Sequence, residues 1–343
     1  MIQANNRKTI SALLGVGIAA LLLWVWNPKP DMTYYHNHGF IFGTVYNIRY
    51  EASKDLEKDI KEALKAFDNS LSMFNPSSTL SAINANRDTV TDADFETMFH
   101  EAERVHALSN GAFDITVAPL VNYWGFGRTQ STDRCADRTQ TDIDSLRAFI
   151  GFEKVQLVDH RIIKFDPRVQ LDGGAVAKGQ ACDKIAGVLR EHGCTNYLVE
   201  IGGEIVAQGV NSQGDAWHIG ITKPNLNNEG ASDTMQEVLP VHDICMATSG
   251  NYRNFYYDGD IRRSHTIDPR TGYPVQHSVL SATIVSSTCM RADALATACM
   301  VLGAEDALDM MERAGDAACY LIVAQKDSLT VLTSPNWEDF IKK

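Results

Sequence analysis

The chain lacks the marks of several large function classes. No long basic run occurs in its 343 residues, and its net charge of -12 argues against a general nucleic-acid surface, so neither DNA nor RNA is an expected partner. Its seven cysteines (135, 182, 194, 245, 289, 299 and 319) contain no CxxC spacing and no paired histidine pattern, which argues against zinc and haem attachment. Cys289, Cys299 and Cys319 fall in apolar runs and read as small core residues, and the odd count leaves at least one thiol free. GxGxxG, Walker A, HExxH and GxSxG are all missing, so the common dinucleotide, P-loop, zinc-protease and serine-hydrolase signatures do not apply. No segment repeats and none is of low complexity.

Long apolar runs are also scarce, with one exception. Arg7 and Lys8 precede an uninterrupted stretch from Thr9 to Trp26, closed by Asn27-Pro28-Lys29-Pro30. As a helix rising about 1.5 Å per residue it would span roughly 27 Å, close to a hydrocarbon core. Trp24 and Trp26 stand where an interfacial belt would lie, and the basic flank is N-terminal. Leu21 to Trp26 offers no small residues for signal cleavage, and no nearby cysteine could take a lipid. The segment reads as an uncleaved anchor over residues 1–30, with the body, 31–343, beyond the membrane.

The chain as a whole is 44% hydrophobic and 22% charged, ordinary for globular material, and no composition break divides residues 40–343. Phe40 to Tyr50 alternates like a strand. Leu56 to Asp68 and Phe95 to Val105 follow helical spacing, the second with Asp92 as N-cap. Ile162 to Leu171 reads as a strand, Ala177 to Glu191 as a helix, and Asn196 to Val210 as strand, Gly202-Gly203 turn and strand. Trp217 to Thr222 and Ser281 to Ser286 are further strands. Helices at Ala292 to Leu302 and Ala304 to Ala314 precede strands at Cys319 to Ala324 and Leu329 to Thr333. Arg128 to Asp144 and Lys223 to Glu237 read as surface excursions. Strands and helices mix without βαβ alternation, which predicts an α+β fold with mixed or antiparallel sheets and packed helices.

Leu171-Asp-Gly-Gly-Ala-Val-Ala-Lys-Gly179 carries the first chemical signal. A glycine pair lets backbone approach a ligand, and the helix start offers unpaired N–H groups to an anion. A tight strand-to-helix connection explains the same residues equally well. Asp293 and Thr297 stand at i and i+4 and share a helix face, and their hard oxygens suit Mg²⁺. Spacing alone favours the plainer reading, with Asp293 as an N-cap near the helix start and Thr297 as an incidental surface residue. His265 lies just before a Pro/Gly-rich turn, where a base, nucleophile or ligand could stand. Ala247-Thr-Ser-Gly-Asn-Tyr252 is a polar small-residue turn, and Tyr123-Trp-Gly-Phe-Gly127 an aromatic cluster suited to stacking or to core packing.

Taken in order, Asp-Gly-Gly-Ala-x-Ala-Lys-Gly, Ile-Gly-Gly-Glu-Ile, Ala-Thr-Ser-Gly-Asn-Tyr, Ser-His-Thr-Ile-Asp-Pro-x-Thr-Gly and Ala-Asp-Ala-Leu-Ala-Thr closely resemble the ApbE family, the FAD:protein FMN transferases. Gly111 to Gly127 matches an earlier segment of that family, and the resemblance spans roughly residues 40 to 335. It implies an Mg²⁺-dependent enzyme that moves the FMN half of FAD to a Thr or Ser hydroxyl of an acceptor protein and releases AMP. Typical acceptors are subunits of membrane redox pumps, the sodium-translocating NADH:quinone reductase or the Rnf complex. A catalytic body anchored at the bacterial inner membrane and facing the periplasm would meet them. The metal ligands implied are Asp293, Thr297 and the carbonyl of Ala175. The FAD contacts implied are Phe42, Phe74, Ala112, Phe113, Asp114, Asp172, Lys178 and Ile267, and His265 would activate the hydroxyl or carry FMN. Other members often carry Met-Gly-Thr where this chain reads Phe42-Gly43-Thr44. An FAD pyrophosphatase and a non-catalytic, membrane-anchored FAD-binding protein are the competing readings.

Overall fold

The structure is a computed structural model that describes residues 31–127, 138–225, 231–252, 254–326 and 328–342. The anchor expected at residues 1–30 lies outside the described residues; among those described, no helix is long and apolar enough to cross a membrane. Residues 34–343 cluster as one compact unit.

The body begins with β1 (Thr33–Ile41) and β2 (Thr44–Ala52), joined by Phe42 and Gly43 at φ 52° and 76°. Two left-handed residues in a two-residue loop follow the natural twist of a hairpin, so segment 40–50 is a strand end, a turn and a second strand. Next come α1 (Glu57–Leu71), α2 (Thr79–Asn84), α3 (Ala93–Leu108), α4 (Ala118–Tyr123) and α5 (Gln140–Arg147). The hairpin β3 (Val155–Val158) and β4 (Arg161–Lys164) precedes α6 (Ala177–Glu191). Hairpins β5 (Tyr197–Ile201) with β6 (Glu204–Gln208), and β7 (Trp217–Pro224) with β8 (Ala231–Val241), lead to β9 (Ile244–Gly250). After β10 (Phe255–Asp258), β11 (Ile261–Ser264) and β12 (Val279–Ser286) come α7 (Cys289–Leu302) and α8 (Ala304–Ala314). β13 (Ala317–Gln325), β14 (Ser328–Thr333) and α9 (Trp337–Ile341) close the chain.

Eight strands form one sheet in the order β1-β2-β5-β6-β9-β12-β13-β14, antiparallel at every register from β2 to β14. The α+β expectation therefore holds, and the sheet is antiparallel. α7 packs on β9 and β12, with α6, α3 and α8 around it. The opposite face is covered by β7, β8 and α9 through Trp217, Ile219, Ile221 and Trp337. Sandwiched strands are buried on both faces, which is why β12 and β13 read as near-continuous apolar runs rather than alternating ones. A third cluster gathers Leu120, Ile143, Ile150 and Ile267 around Trp124, whose indole N–H donates to the Gly272 carbonyl at 2.8 Å.

Some sequence expectations change. Residues 165–171 form no strand, because β4 ends at Lys164. Gln140 to Asp144 belongs to α5 with Thr139 as its cap, while residues 128–137 lie outside the described set. Residues 231–237 belong to strand β8, where the exposed Thr234 and Glu237 gave a polar, loop-like sequence. All six cysteines in the described residues are free thiols, five of them buried.

Candidate active site

Two tight turns meet at one end of the sheet. Gly202 and Gly203 (φ 68° and 104°) turn β5 into β6, and the Gly202 N–H donates to the Val45 carbonyl just after the Phe42-Gly43 turn. A Cβ on Gly43 would meet the Phe74 ring at 3.5 Å, so Phe42, Gly43 and Phe74 form one rim. Phe42 packs edge-on to Phe67, whereas Phe74 is 60% exposed and available to stack on a flat ligand. A Cβ on Gly174 would touch Met73 at 3.5 Å and Asp172 at 2.9 Å, which brings the Gly173-Gly174 turn against the same loop.

Beside that turn opens a cleft of about 530 Å³ walled by Met73, Ser81, Asn84, Asn122, Gly127 and Asp172, within the size range of small-molecule sites. Asp172 Oδ1 accepts the Gly174 N–H at 2.7 Å, and burial raises its carboxyl above the ordinary range. Its own N–H donates to the Ile115 carbonyl, so residues 112–117 run alongside 170–172. Within that segment Ala112 and Phe113 are buried, and Phe113 belongs to the main core. Asp114 accepts from the Thr116 N–H, the Thr116 hydroxyl and the Phe152 N–H, which shapes the segment from within. Ile267 is likewise buried, under Trp124.

Just after the turn, the N-terminal parts of α6 and α7 pack against each other. Asp293 is not an N-cap: Thr288 caps α7 by accepting the Arg291 N–H, and Asp293 sits inside the helix, 2% exposed. Its Oδ2 accepts the Gly179 N–H at 3.0 Å, so an internal carboxylate takes one of the amides that the helix start offered to an anion. Thr297, one turn further along, lies 3.4 Å from the Ser249 hydroxyl of β9. Lys178 Nζ donates to Glu204 Oε1 at 2.6 Å and stands 3.6 Å from Asp293 Oδ1. Burial works against the Lys178 charge, but Asp293 and Glu204 outweigh it and hold the ammonium protonated. Burial pushes the Glu204 carboxyl up to about 7, opposed by Lys178 and reinforced by Asp293.

These residues suit a hard divalent cation. Two buried carboxylates share one ammonium, and Glu204 Oε2 is buried without a hydrogen-bond partner. Such an excess of buried negative charge is costly unless a cation offsets it. Among the described residues no group of three or more His, Cys, Asp or Glu forms a metal cage. Magnesium is commonly held by one or two carboxylates, with water and substrate phosphates completing its shell. Ala175, partly buried, sits in the turn that leads into α6.

His265 follows β11. The Asn254 carbonyl accepts from its backbone N–H at 3.1 Å and faces Nδ1 at 3.2 Å. A carbonyl can only accept, which assigns the proton to Nδ1 and leaves Nε2 as the basic nitrogen. Burial lowers the imidazole pKa, and the charges of Lys178 and Arg262 push the same way. Glu204 and Ser249 were not foreseen as site residues. A glutamate opening a buried strand, where apolar alternation calls for an apolar residue, was the available signal for the first.

An antiparallel α+β body in which the half-buried Lys178 pairs with the buried Glu204 and Asp293 beside a Gly-Gly turn defines a class that comparison identifies. The sequence profile of the ApbE family matches residues 42–321, and the chain belongs to that family. It is 35% identical over 337 residues to the FAD:protein FMN transferase of Vibrio cholerae, covering 96% of this chain and 98% of that protein. Identity to the FAD:protein FMN transferase of Haemophilus influenzae is 33% over 343 residues, 96% of each. The solved flavin transferase ApbE from Vibrio cholerae superposes with a TM-score of 0.81 at 33% identity, over 90% of this chain and 100% of that one.

Proposed function

We propose that the protein transfers FMN from FAD to a Thr or Ser hydroxyl of an acceptor protein, with Mg²⁺, and releases AMP. As a member of the ApbE family it is a flavin transferase; the donor, metal and acceptor are the finer part of the proposal. The observation that carries it is the likeness, over nearly the whole chain, to proteins named FAD:protein FMN transferase. In this reading Phe42, Phe74, residues 112–114, Asp172, Lys178 and Ile267 hold FAD. Asp293, Thr297 and the Ala175 carbonyl would hold Mg²⁺, which would supply positive charge to offset the diphosphate. The acceptor oxygen attacks the phosphorus on the FMN side, a phosphoester forms, and the bond to AMP breaks. His265 Nε2 takes the hydroxyl proton, a role suited to a neutral imidazole whose Nδ1–H is fixed by a carbonyl.

We further propose that residues 1–30 anchor the body to the bacterial inner membrane on its periplasmic side. Acceptor subunits of the sodium-translocating NADH:quinone reductase or Rnf type would be met there.

The test is incubation of the protein with FAD, Mg²⁺ and a candidate acceptor domain, read by intact mass. An acceptor heavier by one FMN supports transfer. Free FMN and AMP without acceptor labelling would make the protein a pyrophosphatase, and unconsumed FAD a binding protein.

A further inference from the structure

We infer that Glu204 is a positioning residue that draws the Lys178 ammonium away from Asp293 and so keeps Asp293 open to a divalent cation. The inference rests on the metal reading above.

Asp293 Oδ2 is engaged by the Gly179 N–H, which makes Oδ1 the less encumbered oxygen. That is the oxygen that faces Lys178, at 3.6 Å. An ammonium and a divalent cation compete for the same lone pairs. Lys178 stands on the first turn of α6, the element that Asp293 itself secures, so it cannot leave the neighbourhood. The half-buried Lys178 ammonium, left with Asp293 as its sole carboxylate partner, would close to hydrogen-bond distance and occupy the site.

Glu204 prevents this by offering a nearer partner, Oε1 at 2.6 Å. Its own position is set from behind. The Gly202-Gly203 turn delivers it as the first residue of β6, and the Cys182 thiol donates to its backbone carbonyl at 3.3 Å. With two carboxylates around one ammonium, pairing Lys178 with Glu204 leaves the Asp293 charge without a full counter-charge. The geometry thus does two things at once: it parks the ammonium to one side, and it keeps the field around Asp293 Oδ1 attractive to a cation.

Magnesium chloride alone, titrated into the full-length protein by calorimetry and followed by thermal shift, tests this without turnover. Glu204→Gln, close in shape, is expected to weaken Mg²⁺ binding by about tenfold or more, because Lys178 then settles on Asp293. Adding Lys178→Met to that variant is expected to restore binding to within about threefold of the parent, a coupling that loss of a purely structural residue would not show. Parent-like affinity in Glu204→Gln overturns the inference, as does a double variant that stays as weak as the single one. Should Glu204→Gln fail to fold, Lys178→Met alone decides: equal or tighter binding supports the inference, and a loss of about tenfold overturns it. Parent protein that takes no Mg²⁺, or Asp293→Ala that takes it normally, overturns the metal reading itself and this inference with it.

Discussion

Gly179 has no room for a methyl group. A Cβ there would overlap the Cys289 carbonyl and the Met290 amide, because α6 and α7 touch backbone to backbone at this point. Alanine is normally better than glycine inside a helix by about 0.5–1 kcal/mol, so crowding alone sets the sign. Gly179→Ala is expected to destabilise the protein by about 1–3 kcal/mol, measured by urea unfolding, and to displace the N–H that Asp293 holds. Asp293→Ala loses that bond, at a cost of about 1–2 kcal/mol, and is expected to stay folded while losing most Mg²⁺-dependent transfer. Undiminished transfer by the folded variant would remove Asp293 from the metal site. His265→Ala is expected to keep FAD binding, read by flavin fluorescence, and to lose transfer; normal turnover would exclude the imidazole as base. Asp293 illustrates what spacing could and could not reveal. The i, i+4 pair with Thr297 was legible, but whether the carboxylate capped its helix or lay inside it depended on where α7 began.

α7 begins three residues before its apolar pattern, and Asp183 accounts for part of this. Its carboxylate on α6 accepts the Cys289 and Met290 N–H groups at 2.9 and 2.8 Å, adding to the Thr288 cap. Burial pushes the Asp183 carboxyl up to about 6, with those amides opposing the rise. The folded protein therefore holds this proton more tightly than the unfolded chain, whose aspartate titrates near 3.9. Between about pH 4 and 6 the native state carries more of the proton, so this group's stabilisation falls as pH rises through that window. The stability difference between parent and Asp183→Asn should therefore shift against the parent from pH 4 to pH 6. A difference that stays flat with pH would place the Asp183 proton elsewhere. Helices α6 and α8 were legible to the residue from periodicity and glycine stops, because their ends are marked by local chemistry. β8 was not legible: it pairs with β7 at the surface, and exposed strands carry polar side chains that resemble a loop.

At the scale of the molecule, one core runs from Tyr46 to Val323 and joins both ends of the described chain through α1, α6, α7 and the sheet. Residues 34–343 are expected to unfold in a single calorimetric transition for that reason; two resolved transitions would contradict it. The motifs of the site are scattered along the chain at 42, 74, 172–178, 204, 265 and 293–297. No periodicity relates them, and their order alone carried the family resemblance. Sequence by itself determined the α+β class, most helices and the identity of the motif residues, because burial periodicity, caps and glycine turns are local. It also singled out the Leu171 to Gly179 run and the Asp293–Thr297 face. Tertiary structure alone decided that Asp293 closes the start of α6, that Lys178 is shared between Asp293 and Glu204, and that Ile267, Phe113 and Asp114 turn toward the interior. The physical reason is that charge pairing and burial depend on distances between segments far apart in sequence, 26 residues for Lys178 and Glu204 and 114 for Gly179 and Asp293, and packing of the helices on the antiparallel sheet sets those distances.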